Sequence, residues 1–348
     1  MTEKLDYLLF IGRFQPFHNG HYYIISRALE RAKKVIVLCG SSNRPRSLRH
    51  PWHYAEREAM IRSCFLAEQN KKIITAPLFD ATYNDSLWIT RVHHLIAELI
   101  GGEGSDVDQH QAPSVGIIGH LKDDTSYYLR LFPHWQLITE ENYQGINSTD
   151  LREAYFYHQT DVAALSGKIP VSIMDYLNRF RHSNEYKYIH QEFNCVRLFQ
   201  ERWSQTPYPP VFVTVNAVVV CSGNILIIKR QRSPGQGLQA LPGGFIETNE
   251  YLLDACLRKL REETGLQMTE TDLKASLKYR EVFDQPSRAE RGRTIAHVFY
   301  FSLPASVNIK DWPVQNTMVD AAWIPLSELD TMNMFEDHFF IIQKMVGI

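Results

Sequence analysis

Residues Gly12 to His21 read GRFQPFHNGH, and they lie between a short apolar run, Tyr7–Ile11, and an amphipathic stretch, His21–Ala32. The run has the length and composition of a buried strand, and the stretch repeats apolar residues at helical spacing. A loop between strand and helix, opened by Gly12 and closed by Gly20, lets backbone approach an anion. The helix start adds N–H groups that lack intrahelical partners, together with the positive end of the helix dipole. His18 and His21 flank Gly20, so the spacing predicts two imidazoles facing the same anion. Imidazoles there suit hydrogen-bond donation to charge that grows on a phosphoryl group during in-line displacement.

The same rhythm continues outward from this stretch. Lys34–Cys39, Lys72–Pro77, Val115–Gly119 and Trp135–Thr139 are short apolar runs, separated by helix-like segments such as Tyr54–Leu66 and Ser86–Ile100. That alternation predicts an α/β domain, a doubly wound parallel sheet with helices on both faces and ligands at the carboxyl ends of its strands. From Ser148 to about Trp203 the pattern turns mostly helical. Thr206–Pro210, TPYPP, cannot continue a helix and marks a junction. Beyond it lie the strand-like runs Val211–Cys221, Asn224–Lys229 and Ile295–Leu303, with one strong helix, Glu250–Glu263, between them. The expected organisation is a first domain over 1–182, a helical linker over 183–206 and a second domain over 207–348.

Composition narrows the function. A chain of 348 residues is long for one core and comfortable for two. A net charge of −2 gives no bulk basic field to hold nucleic acid or an anionic membrane, so neither is expected as a partner. The five cysteines are scattered and form no Cys-x-x-Cys pair, which suits a reducing compartment and offers no zinc cage. The longest apolar run, around Val211–Val220, is too short to span a bilayer. The opening MTEKLDYLLF lacks the basic start of a secretion signal, so the expectation is a cytoplasmic protein. Homo-oligomerisation is left open.

With strand, Gly12, Arg13 and H-x-G-H in register, the first domain resembles the nucleotidyltransferase superfamily. GRFQPFHNGH is similar to the archaeal-type nicotinamide mononucleotide adenylyltransferases, over roughly Leu5 to Phe156. The resemblance implies a Rossmann-like fold and an ATP site at Gly12, Arg13, Phe14, His18 and His21. It also implies contributions from INSTDLR, Ile146–Arg152, through Ile146, Asn147, Thr149 and Arg152; Asn147 stands where the family pattern has serine. Gly119 and Lys122, in GHLKDDTSYYLRLFP, are further ATP-site candidates. YNDSLW, Tyr83–Trp88, falls where that family recognises nicotinamide, with Asn84 for the carboxamide and Trp88 for the pyridinium face. The implied reaction is attack by the 5′-phosphate of nicotinamide mononucleotide on the α-phosphorus of ATP, giving NAD and pyrophosphate. Mg²⁺ or Mn²⁺ accompanies the ATP, and His18, His21 and Arg152 carry the catalysis. The competing reading is that this domain adenylylates a different mononucleotide.

A second register appears at Gly244–Leu266. Gly244, Glu250, Arg258, Leu260, Glu262, Glu263, Gly265 and Leu266 fall on the positions of the Nudix box, and Lys259 replaces the first glutamate of its Arg-Glu-x-x-Glu-Glu core. The second domain thus resembles the Nudix family and implies an α/β/α sandwich. ALPGGFIE, Ala240–Glu247, is similar to its ADP-ribose pyrophosphatase branch. The resemblance implies Mg²⁺ or Mn²⁺ on Glu263, Glu262, Glu250 and Gly244, with Glu262 catalytic. It further implies ADP-ribose or NAD held by Gly243, Gly244, Arg288, Arg291 and Arg293. On a helix Lys259 lies one turn from both Glu262 and Glu263, at i+3 and i+4, so it can pair with Glu263 and compete for that carboxylate. Three readings stay open: a weakened ADP-ribose pyrophosphatase yielding AMP and ribose 5-phosphate, a silent domain that binds ADP-ribose or NAD, and a structural module.

Overall fold

A computed structural model describes residues 4–102, 112–120, 124–306, 309 and 320–348 of the protein. The chain divides into two compact units, Met1–His190 and Gln191–Ile348. Within the first, the elements follow as β1 (Leu5–Gly12), α1 (Asn19–Arg31), β2 (Ala32–Cys39), α2 (Tyr54–Ser63), α3 (Ala67–Asn70), β3 (Ile73–Pro77), α4 (Asp85–Gly102), β4 (Val115–Gly119), β5 (Gln136–Thr139), α5 (Ser148–Arg152) and α6 (Val171–Phe180). Helix α7 (Asn184–Glu201) contains the division between the units.

The five strands form one parallel sheet in the order β3-β2-β1-β4-β5. Alternation along β1 assigns its side chains to opposite faces. Tyr7, Leu9 and Ile11 share a core with Val92 and Ile96 of α4, while the ring of Phe10 approaches His21 of α1, on the other face. Leu8, Leu9, Val35 and Ile36 are wholly buried, each contributing roughly 1.5–3 kcal/mol of transfer free energy. Strand order reverses at β1, whose neighbours are β2 and β4. The crevice at that switch point, outside the ends Gly12 and Gly119, is where such a sheet admits a ligand.

The second unit contains β6 (Phe212–Cys221), β7 (Asn224–Lys229), β8 (Gln239–Ala240), β9 (Gly243–Phe245), α8 (Leu252–Thr264), α9 (Glu270–Ser276), β10 (Leu277–Phe283), β11 (Thr294–Ser302), β12 (Asp320–Pro325) and α10 (His338–Val346). They make a mixed seven-stranded sheet, order β10-β11-β6-β7-β12, with β8 on β7 and β9 on β6. Strands β6 and β11 run parallel, and the other pairings are antiparallel. Helix α8 buries Ala255, Cys256, Leu257 and Leu260 against Val215, Ala217 and Val219 of β6. Its opposite face carries Lys259 and Glu262 at the surface. The sequence reading did not anticipate β10, LKYREVF. Lys278, Arg280 and Glu281 interrupt its apolar pattern because it is an edge strand with exposed positions.

Candidate active sites

In the first unit the site is assembled at the start of α1. His18 is the N-cap residue, with an extended backbone, and is 5% exposed. Its backbone N–H donates to His21 Nδ1 at 3.3 Å, and the two rings stack with centroids 3.6 Å apart. Gly20 is required by this stack, since a Cβ there would lie 3.0 Å from His18 Cε1. Phe10, Phe14 and Phe17 surround the His21 ring. Burial, reinforced by His18 and His120, pushes the His21 imidazole well below its ordinary pKa. A neutral ring whose Nδ1 accepts a backbone N–H carries its proton on Nε2. His21 is therefore a neutral donor, and the residue after β4, His120, lies close enough to influence it.

Around this point the structure gathers cations that the sequence reading only partly foresaw. Arg13 is exposed at the loop's start. His50 is held well below its usual pKa by burial and by Arg44, Arg13, Arg152 and Arg49, so four arginines surround one imidazole. In a chain of net charge −2, that is a concentrated local field suited to a polyphosphate. Arg44, Arg49 and His50 belong to SSNRPRSLRH after β2, a basic loop at a strand's carboxyl end that was visible in the sequence. Arg44 is fixed by Asp80 at 2.8 Å and Thr82 at 2.7 Å. Arg57, wholly interior at 1% exposure, donates to the carbonyls of Arg13 (2.8 Å) and Gly40 (2.7 Å) and to Ser42 Oγ. It ties the end of β1 to the end of β2, and nothing in its helical surroundings announced that role.

The remaining expected residues fall as follows. Arg152 is buried, with one nitrogen on the Gln15 carbonyl (2.7 Å) and another on Thr149 Oγ1 (3.2 Å). Asn147 caps α5, its Oδ1 accepting from the Asp150 N–H. The substitution for serine thus keeps a capping acceptor; Ile146 immediately precedes it. Phe14 is interior, its ring packed over Gly12, so these two offer a ligand backbone rather than side chain. Asn84 Oδ1 accepts from Leu87 N–H at the start of α4. Trp88 packs at the core's edge against Tyr128 and Phe132. Gly119 ends β4, and Lys122 lies outside the described residues.

In the second unit β9 pairs with β6 and brings Gly243 and Gly244 under α8. The Lys259 stem lies over Gly244, where an added Cβ would sit 3.3 Å from Lys259 Cε. Lys259 Nζ pairs with Glu262 at 2.9 Å. Of the two carboxylates in reach it is the i+3 partner that pairs: Glu263 turns toward β9 and accepts the Gly243 N–H at 2.8 Å. Residues 262 and 263, adjacent on a helix, point about 100° apart, and only the first shares the lysine's exposed side. Burial raises the Glu263 carboxyl above its usual range. Arg258 reaches both Glu250 (Nε, 2.9 Å) and Glu262 (3.1 Å), and its guanidinium holds the Glu250 carboxyl down at about 2. Glu262 is likewise lowered, by Lys259 first and then Arg258.

In this arrangement the acids of the box are engaged within the protein, which weakens them as ligands for a divalent cation. Among the described residues no three His, Cys, Asp or Glu side chains are placed to hold a metal, and Glu250 and Glu262 are occupied by internal cations. Of the three arginines, Arg288 and Arg291 both lie within electrostatic range of Glu336 and His338. Arg288 is buried in a paired bond with Asp337, at 2.9 and 3.0 Å. Arg291 lies over the rings of Phe245 (4.9 Å) and Phe199 (5.8 Å). Arg293 donates to the Asp284 carbonyl. Two nitrogens of Arg288 are thereby engaged, and withdrawing them would strand a buried carboxylate. The sequence reading also missed Arg230, which lies over the Phe335 ring at 3.9 Å and within electrostatic range of Glu263, Glu336 and Glu192.

The cytidylyltransferase-like family model matches residues 9–154 and the Nudix model residues 210–343. A nicotinamide/nicotinic acid mononucleotide adenylyltransferase of Acinetobacter baylyi is 35% identical over 193 residues, covering 55% of this chain and 95% of the relative. A crystal structure of a bifunctional NMN adenylyltransferase/ADP ribose pyrophosphatase from Francisella tularensis superimposes with TM-score 0.84 and 30% identity, covering 99% of each chain. The same Francisella protein complexed with AMP and a manganese ion gives TM-score 0.82 at 30% identity over 99% of each chain. Among the described residues no helix is long and apolar enough to cross a membrane. With both family models matched and a bifunctional relative superimposing over nearly the whole length, the chain belongs to the family of nicotinamide mononucleotide adenylyltransferases fused to a Nudix, ADP-ribose pyrophosphatase-like domain.

Proposed function

We propose that the first domain transfers the adenylyl group of ATP to nicotinamide mononucleotide, giving NAD and pyrophosphate. The observation that carries this reading is the neutral His21, stacked on His18 at a helix start and flanked by the arginine-ringed loop after β2. An oxygen of the mononucleotide's 5′-phosphate bonds to the α-phosphorus of Mg²⁺-bound ATP as the bond to the bridging oxygen of pyrophosphate breaks. No covalent enzyme intermediate is required. His21 Nε2–H donates to the phosphoryl oxygens as charge grows on them, with His18 beside it. Arg13 and Arg152 hold the triphosphate, supported by Thr149, Asn147 and the backbone at Gly12, and Arg57 keeps the loop in place. Because Asn84 Oδ1 is engaged at the start of α4, its amide nitrogen is the atom for the nicotinamide carbonyl. Trp88 offers a ring edge from the core. A panel of mononucleotide acceptors with ATP tests the reading: NAD formation supports it, and inactivity with nicotinamide mononucleotide overturns it.

For the second domain we propose action on ADP-ribose at a reduced rate, since the box carboxylates that would bind Mg²⁺ or Mn²⁺ are engaged by Arg258 and Lys259. Gly243, Gly244 and Arg291 line the nucleotide's path, while Arg288 braces the fold. The Francisella relative is titled for both activities, and the same pair is assigned here to one cytoplasmic polypeptide acting on ATP, nicotinamide mononucleotide, NAD and ADP-ribose.

A further inference from the structure

The charges around Gly244 are engaged with one another. Arg258 bonds Glu250 and Glu262 and lies 3.6 Å from Glu247, Lys259 bonds Glu262, and Arg230 lies within electrostatic range of Glu263, Glu336 and Glu192. A site built for divalent ions instead leaves its acids free to take the ions, and an anionic diphosphate enters it only together with them. A lysine in place of a glutamate shifts the local charge by two units toward positive. The position of Lys259 is also defined by packing, because its stem runs over Gly244 where any side chain would crowd it.

Its ammonium is available for exchange. Glu262 is half exposed and keeps Arg258 at 3.1 Å if the lysine leaves it. An exposed pair of this kind contributes little to stability, whereas ammonium–phosphate hydrogen bonds are charge-assisted and short. We infer that Lys259 takes over the ground-state role of a divalent cation, so that the second domain binds the diphosphate of an ADP-ribose-type nucleotide without a metal ion. The inference rests on the reading of this domain as a site for such nucleotides, and it separates ligand occupancy from hydrolysis.

Calorimetric titration of ADP-ribose into the full chain, in EDTA and in Mg²⁺, tests it. Wild type binds in EDTA within about threefold of its affinity in Mg²⁺. Lys259→Ala weakens the metal-free binding by about tenfold or more, Lys259→Arg retains it, and Lys259→Glu binds only when Mg²⁺ is added. Melting temperatures of the variants check that each is folded. Loss of wild-type binding in EDTA with full binding in Mg²⁺ overturns the inference and leaves the nucleotide reading intact, as does an unchanged Lys259→Ala. Absence of binding under both conditions overturns the nucleotide reading itself, and the inference with it.

Discussion

At the end of β1, His18 and His21 stack against each other, and the neighbouring arginines outnumber the acids. Along α8, Glu262 and, just ahead of the helix, Glu250 are each bound to a cation that the helix supplies. Both places are glycine-bearing turns packed beneath a helix, and both were marked by dense motifs. The first presents an unbalanced positive field that a polyphosphate completes. In the second the acids of the box are already paired within the protein. Motif density therefore reports ancestry in both cases, while internal pairing separates a site ready for its ligand's charge from one whose acids are engaged.

The comparison can be broken most severely at the histidines. Changing His21 to alanine should lower the rate of NAD formation by about 10²–10³-fold, the usual loss for one preorganised donor, measured at a temperature where the variant is folded, since losing a ring packed against Phe10, Phe14, Phe17 and His18 also lowers the melting temperature. A loss below tenfold in steady-state assays would remove His21 from the catalytic role. Next comes Arg57→Ala, which strands the buried carbonyls of Arg13 and Gly40. It should destabilise the first unit by about 3 kcal/mol in denaturant unfolding and reduce adenylyl transfer through a loosened loop.

Acid sensitivity is the third expectation. His21 and His50 are held well below their usual values by burial, and His338 is pushed down to about 3. Each is neutral when folded and takes up a proton more readily when unfolded, near pH 6.5. Their stabilising contribution is complete above about pH 6.5 and is lost as pH falls from there toward the folded values. The slope is roughly 1.4 kcal/mol per pH unit for each group, and unfolding free energies measured between pH 7.5 and 5 check it. The smallest effect should be Glu250→Gln, which weakens a surface pair with Arg258 and should lower the melting temperature only slightly. Its thermal shift should shrink further in high salt.

Much of this was legible in the sequence because strand and helix periodicities are local. Gly12, His18, His21 and the box residues Glu250, Arg258, Glu262 and Glu263 could be read at fixed spacing, and β1, β4, β6 and α8 followed from apolar patterning. What escaped depends on tertiary placement. Arg57 reads as an ordinary helix arginine until the fold sets it between two strand ends. The partner of Lys259 could not be decided between i+3 and i+4, because the choice depends on β9 supplying the Gly243 N–H to Glu263. Arg288 looked like a phosphate ligand, and only the fold brings Asp337 to it. Edge strand β10 was hidden by the charges that its exposure permits.

The central claim is that the first site is competent and the second is restrained by its own cations. It is tested most directly by measuring NAD formation and Mg²⁺-dependent ADP-ribose hydrolysis on the same preparation, for wild type and Lys259→Glu. The account predicts ready NAD formation, hydrolysis slower by about two decades, and a gain of about tenfold or more in hydrolysis on restoring the acid. Fast hydrolysis by the wild type, unchanged in Lys259→Glu, would contradict it.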